Sequence, residues 1–213
     1  MITLYGYWRS SAAYRVRIAL NLKNIAHQHK SVHLVKDGGQ QHSDSYVTLN
    51  PNQLVPTLVD DDFVVNQSLA IIDYLDEKYP QSPLYPQDLK DKTQVKALAY
   101  DIACDVHPLN NLRVLQYLSG PLAVSDAQKS EWYKHWISQG FAALETRLQQ
   151  CAGKFCFKDQ PSVADLCLIP QIYNAKRFNI DMSPYPTINR IAQECAKLNA
   201  FIDALPENQD DAS

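Results

Sequence analysis

Tyr5-Gly6-Tyr7-Trp8-Arg9-Ser10-Ser11-Ala12-Ala13-Tyr14-Arg15-Val16-Arg17-Ile18-Ala19-Leu20 is the stretch whose reading decides the fold. The apolar residues before it, Ile2 and Leu4, run into hydroxyl side chains and then into a helical pattern, which reads as a strand, a turn and a helix start. Ser10 or Ser11 at the N-cap accepts a backbone N–H, and the partial positive charge of the helix end favours an anion such as a thiolate or carboxylate. Taken alone, the same residues also describe an ordinary serine-capped helix, the commoner case.

Working outward, Val16, Ile18 to Leu20 and Leu22 give this helix its apolar side, and Lys23-Asn24 ends it. Val32, Leu34 and Val35 predict a second strand; a strand-helix-strand unit of this length is normally parallel and right-handed. His27, His29 and His33 fall on one side of it at period two, where a solvated strand face is commoner than a metal site. A polar turn, Lys36 to His42, precedes a short helical segment over 46–49. In Asn50-Pro51-Asn52-Gln53-Leu54-Val55-Pro56-Thr57, Pro56 stands directly before a strand. It is either an ordinary trans opening or a cis turn that leaves the Val55 backbone to an extended ligand. Asp60-Asp61-Asp62 reads as the tight turn of an antiparallel hairpin joining 57–59 to 63–65. Asn66-Gln67-Ser68 then caps a helix carrying Leu69, Ile71, Ile72 and Leu75, so Gln67 and Ser68 sit at a second positive helix end, available to a carboxylate.

Pro80, Pro83 and Pro86 mark a boundary. The pattern predicts a domain over 1–80, a linker over 81–87, an all-helical domain over 88–205 and a mobile acidic tail over 206–213. Helices are expected over about 90–118, 126–151, 163–175 and 188–204, and no strand pattern of comparable quality returns. Ser162-Val163-Ala164-Asp165 is a capping-box start with a structural task. Asp105-Val106-His107-Pro108-Leu109-Asn110-Asn111-Leu112-Arg113 interrupts a long helix with a proline, as a kink beside a pocket or as simple curvature.

The 213 residues carry a net charge of -3, which gives no electrostatic case for nucleic acid. With 46% hydrophobic residues and a mean hydropathy of -0.32, the chain suits a soluble globule. Five scattered cysteines without a C-x-x-C pair fit free thiols in a reduced cytoplasm, and no apolar run is long enough for a membrane helix. The expected partners are small molecules or a second copy.

The order strand-helix-strand, strand-strand-helix, then helices only, is α/β plus all-α: a thioredoxin-like domain followed by a helical one. The motifs narrow it. The Arg9 to Leu20 stretch, Gly39-Gln40-Gln41, Leu49-Asn50-Pro51 with Val55-Pro56-Thr57-Leu58, Gln67-Ser68-Leu69-Ala70-Ile71-Ile72, Ala164-Asp165-Leu166-Cys167-Leu168 and Pro184-Tyr185-Pro186-Thr187-Ile188 closely resemble the zeta class of glutathione transferases. The resemblance runs from residue 2 to about residue 202. It implies that Ser10 and Ser11 face the sulfur of glutathione, the cofactor, with Ala12, Ala13, Tyr14 and Arg15 counted in the same site. It further implies that Val55, before a cis Pro56, pairs its backbone with the cysteinyl part. Gln67 and Ser68 would hold the γ-glutamyl end, and Gln41 would reach the glycyl end. His107, Asn111, Leu112 and Arg113 match positions lining the same cleft, and Arg177 and Arg9 are the candidates for substrate carboxylates. The family commonly has cysteine where Ala12 stands; since glutathione brings its own sulfur, the serines and the helix end are expected to suffice. The implied activity is cis-trans isomerisation of 4-maleylacetoacetate to 4-fumarylacetoacetate by reversible thiolate addition, in a cytoplasmic homodimer. Isomerisation of maleylpyruvate, glutathione transfer to small electrophilic acids, and a non-catalytic glutathione-binding scaffold are the alternatives.

Overall fold

The computed structural model describes residues 1–212; Ser213, the end of the expected tail, lies outside the described residues. The chain divides into two compact units, Met1–Leu84 together with the chain from Lys197 onward, and Tyr85–Ala196.

In the first unit, β1 (Ile2–Gly6), β2 (Gln28–Ser31), β3 (Thr57–Asp60) and β4 (Phe63–Asn66) form one mixed sheet in the order β2-β1-β3-β4. Helices α1 (Ser11–Leu22), α2 (Asp44–Leu49) and α3 (Ser68–Lys78) complete it. Strands β1 and β2 are parallel, with Gly6 opposite Ser31, whereas β3 is antiparallel to both β1 and β4. Asp60 faces Phe63, so the hairpin turn is Asp61-Asp62, with Asp61 at φ 55°. The second strand lies earlier than the apolar residues Val32, Leu34 and Val35 suggest. Pairing with β1 ends where the Val32 N–H donates to Gly6 O at 2.7 Å. Val32 and Leu34 then join Tyr7, Trp8, Tyr46 and Val55 in an apolar cluster beside the sheet. His27, His29 and His33 do not share a strand face, and among the described residues no group of three or more His, Cys, Asp or Glu is placed to hold a metal ion.

Helix α1 is buried almost all round, which two arginines allow by spending their donors on backbone and hydroxyl oxygens. At its end, the Lys23 ammonium pairs with Asp76 at 2.7 Å and donates to the carbonyls of Tyr79 and Ser82, fastening the proline-rich stretch.

The second unit contains α4 (Leu89–Tyr100), α5 (Leu112–Ser119), α6 (Asp126–Cys151), α7 (Val163–Arg177) and α8 (Pro186–Cys195). The long helix expected over 90–118 is broken. Asp101–Val106 is a π-helical turn in which the His107 N–H reaches back to Ile102 O, and His107–Asn110 is a tight 3-10 turn holding Pro108. A proline lacks the N–H that would continue an α-helix, and the wider turn absorbs the mismatch. The Trp132 indole on α6 donates to Leu109 O at 2.7 Å and holds this break in place. Helix α7 starts at the predicted cap: the fully buried Asp165 carboxylate accepts from Ser162 N–H (2.9 Å), Ser162 Oγ (3.0 Å) and Cys156 N–H (2.8 Å).

The last predicted helix stops at Cys195, and a separate short α9 (Asn199–Ile202) follows in the first unit. The segment expected as a free tail is instead anchored there. Pro206 is buried, and Asp211 accepts from Ser31 Oγ at 2.7 Å. Composition misleads at this point because two or three well-placed anchors outweigh a polar average. The five cysteines are free, three of them buried. Among the described residues no helix is long and apolar enough to cross a membrane.

Glu145 of α6 accepts the N–H groups of Thr187 and Ile188, at the N-terminus of α8, at 2.9 and 3.0 Å. Burial alone would raise its carboxyl; Thr187 and Ile188 outweigh that and hold it below the usual glutamate range. A depressed folded-state value means the stabilisation is complete above the unfolded pKa and is lost as pH falls through the folded one. E145Q should therefore cost about 1–2 kcal/mol at neutral pH, read by urea unfolding, and the gap to wild type should narrow below about pH 4.

Candidate active site

The site of the first unit is built on two helix starts. β1 ends in a turn closed by the Ser10 N–H donating to Tyr7 O at 2.9 Å, and Ser10 is the N-cap of α1, its Oγ accepting the Ala13 N–H at 3.2 Å. Of the two serines considered for this cap, the structure selects Ser10, and Ser11 becomes the first helical residue, 8% exposed. Ala12 stands partly exposed on the next position, while Ala13 and Tyr14 are buried.

Arg15 is 2% exposed, among the largest fully buried side chains in the chain. Its Nη1 donates to Ser68 Oγ at 3.2 Å, while Nε and Nη2 are enclosed without a hydrogen-bond partner among the described residues. Ser68 is the first residue of α3, and Gln67 before it has φ 69°, a left-handed conformation unusual for a non-glycine residue. The start of α3 is thus joined directly to the second turn of α1. An enclosed guanidinium between two positive helix ends is an environment for an anion.

The remaining predicted residues of this unit lie on the loops beside the sheet. Gln41 is 6% exposed; its Nε2 donates to Leu34 O at 3.4 Å, and its Oε1 is buried without a partner among the described residues. Gly39 precedes it at φ 101°, and any Cβ there would collide with the Gln41 amide. Val55 is 8% exposed, and the Val55-Pro56 bond is cis.

One residue that positions Val55 carried no functional signal in the sequence beyond its place before Pro51. Asn50 is 1% exposed. Its Nδ2 donates to Leu54 O (2.8 Å) and Thr57 Oγ1 (3.0 Å), and its Oδ1 accepts from Asn52 N–H (3.1 Å) and Asn66 Nδ2 (3.0 Å). The Tyr46 hydroxyl adds a bond to Leu54 O at 2.7 Å. The loop into the cis bond is therefore tied to α2, β3 and β4 at once.

Arg9 is exposed. Its guanidinium lies 4.4 Å from the centre of the Trp8 ring and Nη2 donates to Tyr7 Oη at 3.3 Å, so the charge is stacked and aimed.

In the second unit His107 lies in the 3-10 turn, and Asn111 caps α5, its Oδ1 accepting the Arg113 N–H at 3.2 Å. Leu112 is the first residue of α5, and Arg113 is exposed. Asn110 and Gln171, both buried, bond to each other at 2.9 Å behind this turn. Arg177 is the last residue of α7, exposed, with its guanidinium 5.1 Å from the Phe178 ring centre. Phe178 stacks on Tyr133 at 3.6 Å, and burial pushes the Tyr133 hydroxyl up despite the nearby Arg177 charge.

Comparison with known proteins adds the following. Residues 4–83 match the model of the glutathione S-transferase N-terminal domain. A Vibrio cholerae protein named probable maleylacetoacetate isomerase is 54% identical over 211 residues, covering 99% of this chain and 98% of its own. A holo structure of maleyl pyruvate isomerase, described as a bacterial glutathione transferase of the zeta class, superposes with a TM-score of 0.96 at 41% identity, covering 99% of this chain and all of its own. A Methylobacterium extorquens maleylacetoacetate isomerase with bound malonate and glutathione has a TM-score of 0.94 at 41% identity, covering 99% of each chain.

Asn50→Ala removes four hydrogen bonds from a buried position and leaves their partners unpaired. The expected loss is about 2–3 kcal/mol of unfolding free energy, measured in urea.

Proposed function

The chain belongs to the zeta class of glutathione transferases, and from that premise we propose the residue roles by which it isomerises 4-maleylacetoacetate to 4-fumarylacetoacetate with glutathione as cofactor. The reaction is a step of tyrosine and phenylalanine breakdown. The observation that carries the proposal is the buried Arg15 guanidinium between the starts of α1 and α3.

Glutathione suits the groups around it. Arg15 and Ser68, with Gln67, take the γ-glutamyl carboxylate and amine; the Val55 backbone takes the cysteinyl part, and the orphaned Oε1 marks Gln41 for the glycyl end. When bound, glutathione supplies a thiolate that adds to the cis double bond and leaves after rotation. Ser10 Oγ already accepts from Ala13, so its own proton is the one left to donate to a sulfur anion. Ser11 and the first-turn N–H groups of α1 add to the same stabilisation, and Ala12, Ala13 and Tyr14 form the adjoining wall. No cysteine is needed at Ala12 for this.

Arg9, stacked on Trp8, and Arg177, stacked on Phe178, bind and orient the carboxylates of the substrate. Malonate bound with glutathione in the Methylobacterium extorquens relative supports a dicarboxylate reading. His107, Asn111, Leu112 and Arg113 complete the binding surface. The protein works as a cytoplasmic homodimer with no nucleic acid or membrane partner. A domain over 1–80, a linker over 81–87 and a helical domain to about 205 divide the two binding tasks.

A second reading, isomerisation of maleylpyruvate, is favoured by the close likeness to the maleyl pyruvate isomerase structure. Turnover of both substrates by purified protein, with and without glutathione, separates the two. The expected result is strictly glutathione-dependent turnover with a higher kcat/KM on maleylacetoacetate; turnover that persists without glutathione would sink the proposal. The S10A/S11A double variant should lose about tenfold or more in kcat. R15Q should raise the KM for glutathione by about tenfold while leaving kcat nearly unchanged, since it removes a charge-assisted contact remote from the sulfur.

A further inference from the structure

The C-terminal segment reaches the turn that leads into Ser10. The Trp8 N–H donates to Asp211 Oδ2 at 3.2 Å, and the same oxygen accepts from Ser31 Oγ at 2.7 Å. Ser31 is the last residue of β2, paired with Gly6 at the end of β1, so one carboxylate spans the end of β2 and the turn by which β1 becomes α1. The Asp211 side chain is 11% exposed, and His29 Nδ1 lies 3.9 Å from its other oxygen. Burial pulls the His29 imidazole below its usual range against the Asp211 charge, with Arg17 and His27 adding to the lowering.

A second anchor acts on the same turn. Arg17 Nε and Nη2 donate to Ala204 O at 3.1 and 3.0 Å, and Nη2 also donates to Trp8 O at 3.0 Å. The turn therefore has its Trp8 N–H held by Asp211, its Trp8 carbonyl by Arg17, and its closing bond made between Ser10 and Tyr7. What this fixes is functional in kind: the Trp8 ring carries the Arg9 guanidinium, and the next residue on is the N-cap serine.

We propose that Asp211 is a positioning residue for the isomerisation, its carboxylate holding the Trp8-Arg9-Ser10 turn in the geometry that sets the Ser10 hydroxyl and the Arg9 charge. The inference rests on the reading that Ser10 faces the glutathione sulfur. Without the carboxylate the Trp8 N–H is an inward-facing donor with no acceptor, and the turn shifts to find one. A displacement of about 1 Å in a catalytic group is enough for a large loss in rate.

The test uses the full chain and reads two quantities: kcat for maleylacetoacetate, and the pH at which bound glutathione ionises, followed by thiolate absorbance in the ultraviolet. D211A is expected to lower kcat about tenfold and to raise that ionisation pH, with little change in the KM for glutathione. D211N keeps an acceptor oxygen for Trp8 and Ser31 and should recover most of both. D210N makes the same charge change at the exposed neighbouring residue and should behave as wild type. Wild-type kcat and ionisation in D211A, or an equal loss in D210N, would overturn the inference. If D211A does not fold, D211E decides, because its carboxylate is displaced by one methylene: a raised ionisation pH is expected, and an unchanged one overturns the proposal. S10A, run alongside, keeps the two ideas apart. If S10A shifts the ionisation and D211A does not, Asp211 alone is wrong; if neither shifts it, the sulfur-facing role of Ser10 is wrong.

Discussion

The guanidinium of Arg15 is enclosed in the first unit with one hydroxyl, Ser68 Oγ, against it, and a charge so placed dictates what must surround it. Removing a guanidinium from water costs several kcal/mol unless oxygen atoms or an anion face it. The chain supplies part of this with the start of α3 and leaves the rest to a ligand with a carboxylate. The same demand explains why α1 and α3 meet near their starts. The mixed sheet brings β1 beside β3, and the short hairpin returns the chain through β4 into α3. Cofactor binding and helix packing thus share one electrostatic requirement, and R15Q tests the binding half of it directly.

Buried carboxylates in the second unit show the same chemistry used for architecture alone. Asp165 is wholly buried, and burial pushes its carboxyl up even though Cys156 and Ser162 donate to it. For Glu145 the balance falls the other way, because Thr187 and Ile188 at a helix N-terminus outweigh burial. Both residues secure helix starts, and neither titrates in a way that suggests chemistry. Buried cysteines follow suit: burial pushes the thiol of Cys156 well up, which makes it inert.

Much of this arrangement was readable from residue order because local signals and tertiary contacts agree. Ser10 capping α1, the Asp61-Asp62 turn, the span of α6 and the Ser162-Asp165 box each rest on interactions within a few residues. Where the decisive partner is distant in sequence, the reading fails. Val32 and Leu34 are as apolar as a strand but belong to a cluster with Tyr46 and Val55. Nothing near Asn50 says that it meets Asn66, and nothing near Asp211 says that it meets Trp8, 203 residues away. The roles of Ser10, Arg9 and Arg177 came from a family's pattern, while the burial of Arg15 came only with the folded chain.

The π-helical turn at Asp101–Val106 has a consequence for how the chain tolerates change in length. Such a turn accommodates one residue more than an α-helix would, and each residue of an α-helix advances the face by about 100°. Deleting a single residue between Asp101 and Val106 would let a regular helix form. The same deletion would swing His107, Asn110 and Asn111 about a quarter turn away from Gln171 and from the Trp132 anchor. A lost codon there would leave the helical unit well formed and its binding face misdirected, so insertions and deletions at this point carry more weight than most substitutions.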